Sequence, residues 1–525
     1  MPSPAHQAYR NFLRSWCSKH AHEPHVANSL KLHANAALVL WHLDLGPALP
    51  ILKQCYAPNP RGGRPWDPLV LLRCLLLALL VGKPKINAWV RELKANDVLC
   101  ALCGIDPQQP RRPGVGTLYG FLHRLHDGPQ RRCRCGHSTP PSELERRRAR
   151  SPMPPKHKLQ HHQPSPAAQR NVAQQLVQQL ADADPNDSPN DLLQRLAQLL
   201  FQTAVVRSAQ LGLLPCPDKL ILCADGSPLR TAASKYGKRT CRCPPKARCN
   251  CPRIYSDPDA AIGYDPHRRC YFFGHHIYEL TACCAGHDLP IFITLHPANE
   301  TDFTASLKAI DRLRKLLRRC HPQMRIDTVV CDAGHDCEPF YSYALQHGFS
   351  IVAPLAKDAP ATHPQRPELR LSSRGVPLCP AGCEMAPWGS AGSNRRLFVC
   401  PVKASYIPRC PLAPAHNPNW LCRPNEKLAP VVNLSVAQNP RLCPPVPRNS
   451  PTFHRLYNLR SGSERSFSYK KHHLQLEAAR HRRYSFWLIT LYLMAIVQHA
   501  KAWVAHYSAT ALLDELLGTA QQQAA

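Results

Sequence analysis

The sequence has no uninterrupted apolar run long enough to cross a bilayer. Its two longest apolar runs, Leu69–Val81 (which Arg73 interrupts) and Ser485–Val497, are each 13 residues, whereas a spanning helix needs about 20. The first residues, MPSPAHQAYRNFLRSW, also lack the basic-then-apolar pattern of a secretory signal peptide. These absences predict a soluble intracellular protein with no membrane partner.

Acidic residues are scarce. The chain of 525 residues has 35 Asp and Glu against 66 Lys and Arg, a formal net charge of +31. Such an excess favours a polyphosphate partner, most simply a nucleic acid. A hydrophobic content of 44% excludes wholesale disorder. The 54 prolines, about twice the usual share, predict long segments that connect two to four packed units.

The 25 cysteines are expected to be free or metal-bound thiols, because an intracellular compartment is reducing. Cys241, Cys243, Cys249 and Cys251 form a C-x-C-x5-C-x-C cluster within 11 residues. Four thiolates so close in sequence could surround one tetrahedral Zn²⁺ ion. Reduced cysteines without a metal are the alternative, and the spacing leaves both open.

The other cysteines give weaker patterns. A looser group could form a second zinc-ribbon-like site, but the sequence does not decide which four residues would bind; it comprises Cys379, Cys383, Cys400, Cys410 and Cys422, with His416 nearby. The adjacent Cys283 and Cys284 continue a strand pattern and are predicted in the core. No role is predicted for the remaining group, Cys133, Cys135 and His137.

Hydrophobic periodicity predicts an all-helical region followed by alternating strands and helices. Predicted helices cover 69–81, 87–102, a segment from Thr117, 171–183 and 191–211. Then come strands at 219–225, 271–284 and 289–296, a helix at 303–320, a strand at 326–331, a helix at 339–347 and a strand at 350–355. Further helices are predicted at 462–479 and 484–506. Three strands, helix, strand, helix, strand is the element order of an α/β ribonuclease-H-like core.

Composition and pattern together divide the chain into six segments. We predict a helical domain (1–128), a basic Pro/Arg/His-rich linker (129–170), connecting helices (171–215), the first part of the core with the CxC-x5-CxC loop at 241–251 (216–355), a Pro/Cys-rich insertion (356–450) and the C-terminal part of the core (451–525).

Two aspartates follow predicted core strands. Asp225 ends LILCAD and Asp332 ends TVVCD, and the carboxyl ends of strands in open α/β sheets are where sites form. Taken singly, such an aspartate can equally be a turn former or a helix cap. Asp302 could be a further ligand, but capping of the turn before the helix at Phe303 is favoured. A third carboxylate, Glu464, lies on a predicted helix, and three carboxylates brought together would repel one another unless divalent cations neutralised them.

The surroundings of Glu464 carry a more specific signal. Tyr457, Arg460, Glu464 and Lys471 are spaced Tyr-x2-Arg-x3-Glu-x6-Lys. This spacing resembles the signature of DDE transposases of bacterial insertion sequences. CADGSPLRT and VVCDAGHDCEPFY resemble the segments that carry the first and second aspartates of that group, although His335 replaces its usual Tyr. HPANETDFTA resembles its P-x-N-x-x-D turn, and residues 60–125 resemble its N-terminal helical domain.

The resemblance implies a metal-dependent DNA transposase, a polynucleotidyl transferase with endonuclease activity. Asp225, Asp332 and Glu464 would bind two Mg²⁺ (or Mn²⁺) ions, which cut phosphodiesters by activating water and stabilising the leaving oxygen. Tyr457, Arg460 and Lys471 would contact the ends of the element. The implied partners are terminal inverted repeats, bound by the N-terminal domain, and target DNA. A homodimer or larger synaptic complex, in the cytoplasm and associated with the nucleoid, is also implied.

Two alternatives stay open at this stage. One is a DDE-type nuclease that cuts DNA without strand transfer. The other is a non-catalytic, zinc-stabilised DNA-binding protein, in which the charge and the cysteines matter and the carboxylates do not.

Overall fold

The structure is a computed structural model that describes residues 2–56, 65–128, 149–150, 166–182, 191–239, 241–244, 249, 251–284, 286–392, 394–414 and 431–507. The expectations for Cys133, Cys135, His137, His416 and Cys422 lie outside the described residues.

The N-terminal part is helical, as the sequence pattern predicts. A buried helix near its centre begins where the Asp67 carboxylate accepts a hydrogen bond from the backbone N–H of Leu69 at 2.8 Å. The helices are α1 (Pro4–His20), α2 (Pro24–Leu32), α3 (Ala34–His42), α4 (Leu49–Gln54), α5 (Pro68–Leu80), α6 (Ile86–Ala95), α7 (Asp97–Cys103) and α8 (Val115–Asp127).

The single helix predicted over 87–102 is wrong, because the chain forms two helices there. Asn96 lies between α6 and α7 in an extended conformation, with φ −130° and ψ 111°. Its side-chain oxygen accepts a hydrogen bond from the backbone N–H of Leu99 at 3.2 Å. Asn favours such helix caps over helix interiors, and it therefore starts a new helix instead of continuing the first.

Three helices connect this region to the sheet, namely α9 (Pro166–Asp182), α10 (Leu192–Leu200) and α11 (Val206–Gln210). A π-helical turn, Phe201–Val205, lies between α10 and α11. Helix α9 begins at Pro166, inside the segment predicted as a linker. Two further residues of that segment form β1 (Ala149–Arg150), which pairs with a strand near the clustered cysteines.

A six-stranded mixed sheet forms the centre of the molecule. Its strand order is β5-β6-β2-β8-β9, and β7 also pairs with β6. Strands β5, β6, β7 and β2 pair antiparallel, whereas β2, β8 and β9 are parallel. The elements are β2 (Leu220–Arg230), β5 (Ala261–Asp265), β6 (Cys270–Cys284), β7 (His287–Pro297), α12 (Asp302–Cys320), β8 (Ile326–Val330), α13 (Glu338–Gln346) and β9 (Ser350–Val352). Leaving β5 aside, this is the order of strands and helices predicted for a ribonuclease-H-like core.

The segment after β9 forms small β-structures around its own apolar cluster, which includes Met385 and Phe398. Arg441 and Arg448 anchor this segment, since both donate to the buried carboxylate of Asp336, at 2.8 and 3.3 Å. Its strands are β10 (Thr362–His363), β11 (Arg366–Arg370), β12 (Ala386–Ser390), β13 (Arg395–Val399) and β14 (Val431–Ser435).

The helix predicted over 462–479 is interrupted. The structure has in its place helix α15 (Ser461–Ser468), a π-helical turn (Tyr469–His473) and a 3-10 turn (Leu476–Ala479). Another 3-10 turn, Asn458–Arg460, comes directly before α15. Gln475 and Arg480, on either side of the last turn, have positive φ, a conformation that a regular helix does not allow. Helix α14 (Pro451–Tyr457) precedes this region.

The last described helix, α16 (Tyr484–His506), agrees with its prediction and is the core of the protein. Among the described residues, its 23 residues meet the length and composition criteria for a membrane span, as does the bent pair Ala34–His42 and Gly46–Gln54. The helix is longer than the 13-residue apolar run Ser485–Val497, because it continues past Gln498 and His499. However, 83% of the apolar window of α16 is buried inside the protein, where it packs between the N-terminal helices and β7.

Candidate active site

Asp225, within β2, and Asp332, just past the end of β8, lie at the same level on two neighbouring parallel strands. In the β2–β8 register Cys223 lies opposite Val330, so each aspartate stands two residues beyond a paired residue. Strand β2 continues five residues past Asp225, to Arg230, because β6 pairs with it along that length. Asp332 instead ends its strand, and its carboxylate accepts a hydrogen bond from the backbone N–H of Gly334 at 3.0 Å.

The carboxylates share one electrostatic site. Burial raises the pKa of Asp225 to about 6, and the charges of Asp302 and Asp332 act in the same direction, whereas a hydrogen bond from the backbone N–H of Gly226 opposes them. The negative charge that Asp225 gains when it ionises is thus only partly offset by the groups around it.

Asp302 belongs to this site, although the sequence pattern suggests a helix cap. Thr301 holds the cap position of α12, and no side chain caps the helix there. The carboxylate of Asp302 instead contacts His276 Nε2 at 2.7 Å. Burial alone would raise the pKa of Asp302, but the hydrogen bond and charge of His276 hold it below its usual value. A Cβ at Gly226 would overlap both members of this pair, so glycine is required at that position.

His335 connects Asp332 to the sheet. Its Nδ1 lies 2.6 Å from Asp332 Oδ1, and its Nε2 lies 2.8 Å from the hydroxyl of Tyr278. The ring is fully buried. Burial alone would lower the pKa of His335, but the hydrogen bond and charge of Asp332 raise it above the usual value. His335 therefore fixes the orientation of the Asp332 carboxylate, and that carboxylate in turn favours the protonated form of the ring.

Glu464 does not contact the two aspartates. It lies exposed in the first turn of α15, and its Oε1 accepts from Arg460 Nη2 at 2.7 Å. Burial alone would lower the pKa of Arg460, but the charges of Glu464, Tyr457 and Asp225 raise it. Arg460 thus pairs with the third predicted carboxylate and also interacts with the charge of the first.

The remaining residues of the Tyr-Arg-Glu-Lys spacing lie on the same side of the site. Lys471 Nζ donates to Ser227 Oγ at 2.7 Å, two residues beyond Asp225 on β2. Tyr457 stacks on Phe453, with ring centres 5.7 Å apart. Because 3-10 and π-helical turns flank α15, Arg460, Glu464 and Lys471 do not lie along one regular helical face as predicted. Lys471 nevertheless reaches β2, and the charge of Asp225 acts on Arg460.

A buried ion pair beneath the site has no counterpart in the sequence analysis. Glu279 lies opposite Asp225 in the β2–β6 register, and its Oε2 is 2.8 Å from Lys470 Nζ, with both side chains fully buried. Ser466 Oγ donates to Glu279 Oε1 at 2.5 Å. These contacts hold α15 and the π-helical turn against β6. In the sequence, the only sign of this ion pair is that two lysines, Lys470 and Lys471, are adjacent. The resemblance to the transposase signature assigned a role to Lys471 and none to Lys470.

The CxC-x5-CxC cysteines converge in space. Cys241 Sγ lies 3.6 Å from Cys249 Sγ, and Cys243 Sγ lies 3.7 Å from Cys251 Sγ. In the part of the chain that the structure describes, they form the one group of three or more His, Cys, Asp or Glu side chains whose ligand atoms all lie within 4.8 Å. A hydrogen bond from the backbone N–H of Cys243 is the main reason why the pKa of Cys241 falls to about 7.

The second cysteine group is looser. Burial raises the pKa of Cys383, and so do the neighbouring Cys379, Cys410 and Cys400. These four are therefore the members of that group that the structure brings near one another. Cys283 is buried, as predicted, whereas Cys284 is half-buried.

The carboxylates at the sheet suit a hard divalent cation. Asp225, Asp332 and Glu464 offer only oxygen atoms, which Mg²⁺ prefers, and the raised pKa of Asp225 marks uncompensated negative charge that a cation would offset.

One family model matches the chain, that of the transposase DDE domain, over residues 217–498. The match covers slightly more than half of the chain; it begins just before β2, ends within α16 and includes Asp225, Asp332 and Glu464. No curated protein and no solved structure matches the chain.

Proposed function

Because the chain belongs to the family of transposases with a DDE domain, we propose that it cuts DNA at the ends of an insertion sequence and joins the freed 3′-OH to target DNA. One observation carries the proposal. Within the matched region, Asp225 and Asp332 lie at the same level on neighbouring parallel strands and share one charged site.

Asp225, Asp332 and Glu464 are the residues that would hold Mg²⁺ or Mn²⁺. When bound, such ions activate the attacking water and stabilise the leaving oxygen. Asp225 contributes a carboxylate from the interior of a rigid strand, and His335 orients that of Asp332. Arg460 holds Glu464 in an ion pair at the protein surface.

The DNA-binding role of Tyr457, Arg460 and Lys471 follows from their chemistry and position. Arg binds phosphate through two parallel hydrogen bonds, and Lys binds it as a point charge. Lys471 reaches β2 two residues from Asp225, and Arg460 interacts with the charge of Asp225, so both suit a scissile phosphate bound at that carboxylate. Since two ends must be joined to one target, the active form is a dimer or a larger assembly.

The test is cleavage of the DNA that flanks the gene, in the presence of Mg²⁺ or Mn²⁺. We expect cuts at defined ends by the wild type and none by Asp332→Ala. The matched control is Asp327→Ala, which changes an exposed aspartate on the same strand and should cut like the wild type. Equal cutting by Asp332→Ala would overturn the assignment.

Strand transfer needs its own assay, with pre-cut ends that carry a 3′-OH and a circular target. Joined products support the transposase. Cutting without joining would favour the nuclease alternative, and binding without cutting, by wild type and Asp332→Ala alike, would favour a non-catalytic DNA-binding protein.

A further inference from the structure

The four clustered cysteines lie in the loop of a very short β-hairpin. Strand β3 (Lys238–Arg239) pairs antiparallel with β4 (Arg253–Ile254), and the cysteines lie between them. The β1 residues extend this pairing by one strand, giving the order β1-β4-β3. Strands of two residues contribute few hydrogen bonds, and a hairpin of this size is not stable by itself.

The base of this segment is fixed to the main sheet. Thr231 Oγ1 donates to Asp257 Oδ2 at 2.9 Å, and His275 Nε2 lies 2.9 Å from the same oxygen. Asp257 and His275 are fully buried. Beyond β3 and β4, the thiols are only half-buried. The loop therefore needs a stabilising element other than a hydrophobic core.

The arrangement of the sulfur atoms has the dimensions of a metal centre. Four ligands at the usual Zn–S distance of about 2.3 Å stand about 3.8 Å apart at the corners of a tetrahedron. The observed 3.6 Å and 3.7 Å separations are close to that value. Each close contact joins a cysteine of the first C-x-C pair to a cysteine of the second: Cys241 lies next to Cys249, and Cys243 lies next to Cys251. A single ion bound by all four would therefore connect the two sides of the loop.

We propose that Cys241, Cys243, Cys249 and Cys251 bind one Zn²⁺ ion as four thiolates, and that the ion holds the β3–β4 loop as a basic surface for DNA. Binding releases one proton from each thiol that is protonated beforehand and involves no change of oxidation state. The ion replaces the missing core and fixes the loop tip above its anchored base.

Charge supports both parts of the proposal. Residues 234–255 contain seven Lys and Arg and no acidic residue. A Zn²⁺ ion with four thiolates carries a charge of about −2, which is less than the positive charge around it, so the loop stays cationic when the metal is bound. Lys238 is exposed on β3, and the ring of Tyr236 is 70% exposed beside it. Cations next to an exposed aromatic ring suit a DNA backbone with accessible bases.

The DNA part rests on the proposed function, because β3 follows β2, the strand that carries Asp225. A loop at this point would contact DNA beside the scissile phosphate. The zinc part is independent of that function, since it depends only on the four thiols.

The first test measures zinc in the full-length chain, purified under reducing conditions. We expect the wild type to hold one more equivalent of zinc per chain than the double variant C243S/C251S. The control C216S changes an exposed cysteine outside the cluster and should keep the full content. Equal zinc in all three proteins would overturn the site.

Two measurements on the wild type keep the proposal testable if the double variant does not fold. After chelation, added Co²⁺ should give the visible absorption of a tetrahedral thiolate complex, and its absence would contradict the site. The intact mass should be that of reduced cysteines, whereas a mass lower by four hydrogens, mapped by peptide analysis to these cysteines, would show two disulfides and overturn the proposal.

The second test measures DNA binding against salt concentration. K238Q should keep its zinc but weaken binding and lower the slope of log K against log salt by about one. K219Q, which removes an exposed lysine just before β2, should leave the slope unchanged. An unchanged slope in K238Q with full zinc would overturn the DNA role alone, whereas cutting by Asp332→Ala would overturn the proposed function and leave the zinc result intact.

Discussion

Gly226 shows how one position can be set by its neighbours. The His276–Asp302 pair occupies the space that a side chain at this residue would need. Asp225 precedes Gly226 on the strand, and its carboxylate accepts a hydrogen bond from the backbone N–H of Gly226. A side chain at Gly226 would therefore displace the pair and move the carboxylates relative to one another.

We predict that Gly226→Ala lowers the rate of DNA cutting roughly 100-fold, the effect expected when reacting groups are displaced by about 1 Å. End binding should change little, because the DNA-contacting residues are on other elements. The measurement is single-turnover cutting with Mg²⁺. Gly116→Ala is the control, since a Cβ there meets nothing within 4 Å. Normal cutting by Gly226→Ala would show that the pair can move aside without consequence.

Glu464 allows a clean test of catalysis because its side chain is exposed. Its ion pair with Arg460 is a surface contact, worth about 0.2–1 kcal/mol at most, so Glu464→Ala should fold normally. We predict complete loss of cutting with end binding retained, measured by cleavage and by gel shift. Glu477→Ala, which also removes an exposed glutamate paired with an arginine, should cut normally. Retained cutting by Glu464→Ala would remove Glu464 from the metal ligands.

At the residue scale, site residues that belong to a continuous sequence motif can be predicted, whereas contacts between residues far apart in the chain cannot. Asp225 and Asp332 follow apolar runs, and the sheet brings them to the same level on neighbouring strands. Asp302 joins them because the start of α12 packs against Gly226. Glu279 meets Lys470 only after β6 and α15 pack on each other. Such contacts leave no spacing in the sequence, because the partners lie about 190 residues apart in the chain.

At the scale of elements, the π-helical turn after α15 separates two adjacent lysines. It turns Lys470 into the protein towards Glu279 and lets Lys471 reach Ser227. π-helical turns are frequently found at functional sites. One turn thus provides both a structural and a DNA-facing lysine.

We predict opposite phenotypes for the two lysines. Lys470→Met leaves the Glu279 carboxylate buried without a partner and should lower the free energy of unfolding by about 3–5 kcal/mol, measured by urea denaturation. Lys471→Ala should change stability little but weaken end binding and lower its salt slope by about one. Each variant is the control for the other. Equal stability of the two variants would contradict the buried ion pair, and an unchanged slope in Lys471→Ala would remove that residue from the phosphate contacts.

Long apolar elements are predicted better than interrupted ones, for a physical reason. The ends of α16 agree with the prediction to the residue, and those of α5 to within one, because continuous burial fixes both their period and their length. The break at Asn96 depends on one side-chain cap, and the π-helical turn depends on a tertiary ion pair. Strand β2 exceeds its prediction because β6 pairs with polar residues that carry no strand pattern.

At the scale of the whole molecule, α16 joins the connecting helix α11 to the sheet through polar contacts. Trp503 Nε1 donates to Ser208 Oγ at 2.8 Å, and the Ser208 hydroxyl lies 2.7 Å from Nδ1 of His499. His499 Nε2 lies 2.8 Å from the carbonyl oxygen of Pro290 on β7. This chain is satisfied when His499 is neutral, with its proton on Nε2 and the Ser208 hydroxyl donating to Nδ1.

This arrangement predicts that the protein loses stability in mild acid. Burial, with the nearby charge of Lys470, lowers the pKa of His499 from 6.5 to about 4. Between these two values the unfolded chain binds a proton that the folded chain does not, so stability is full above about pH 6.5 and falls as the pH decreases towards 4. The urea midpoint should therefore be lower at pH 5 than at pH 7.5.

The contribution of His499 itself is separated by substitution. His499→Gln should lower the midpoint at pH 7.5 and reduce the difference between the two pH values, because the proton-accepting ring is gone. His506→Gln, at the exposed end of the same helix, should keep the wild-type difference. Because His481 is also buried with its pKa lowered to about 4, part of the pH dependence should survive in His499→Gln. A difference between the two pH values in His499→Gln equal to that of the wild type would show that His499 does not make the contact between α11, α16 and the sheet sensitive to pH.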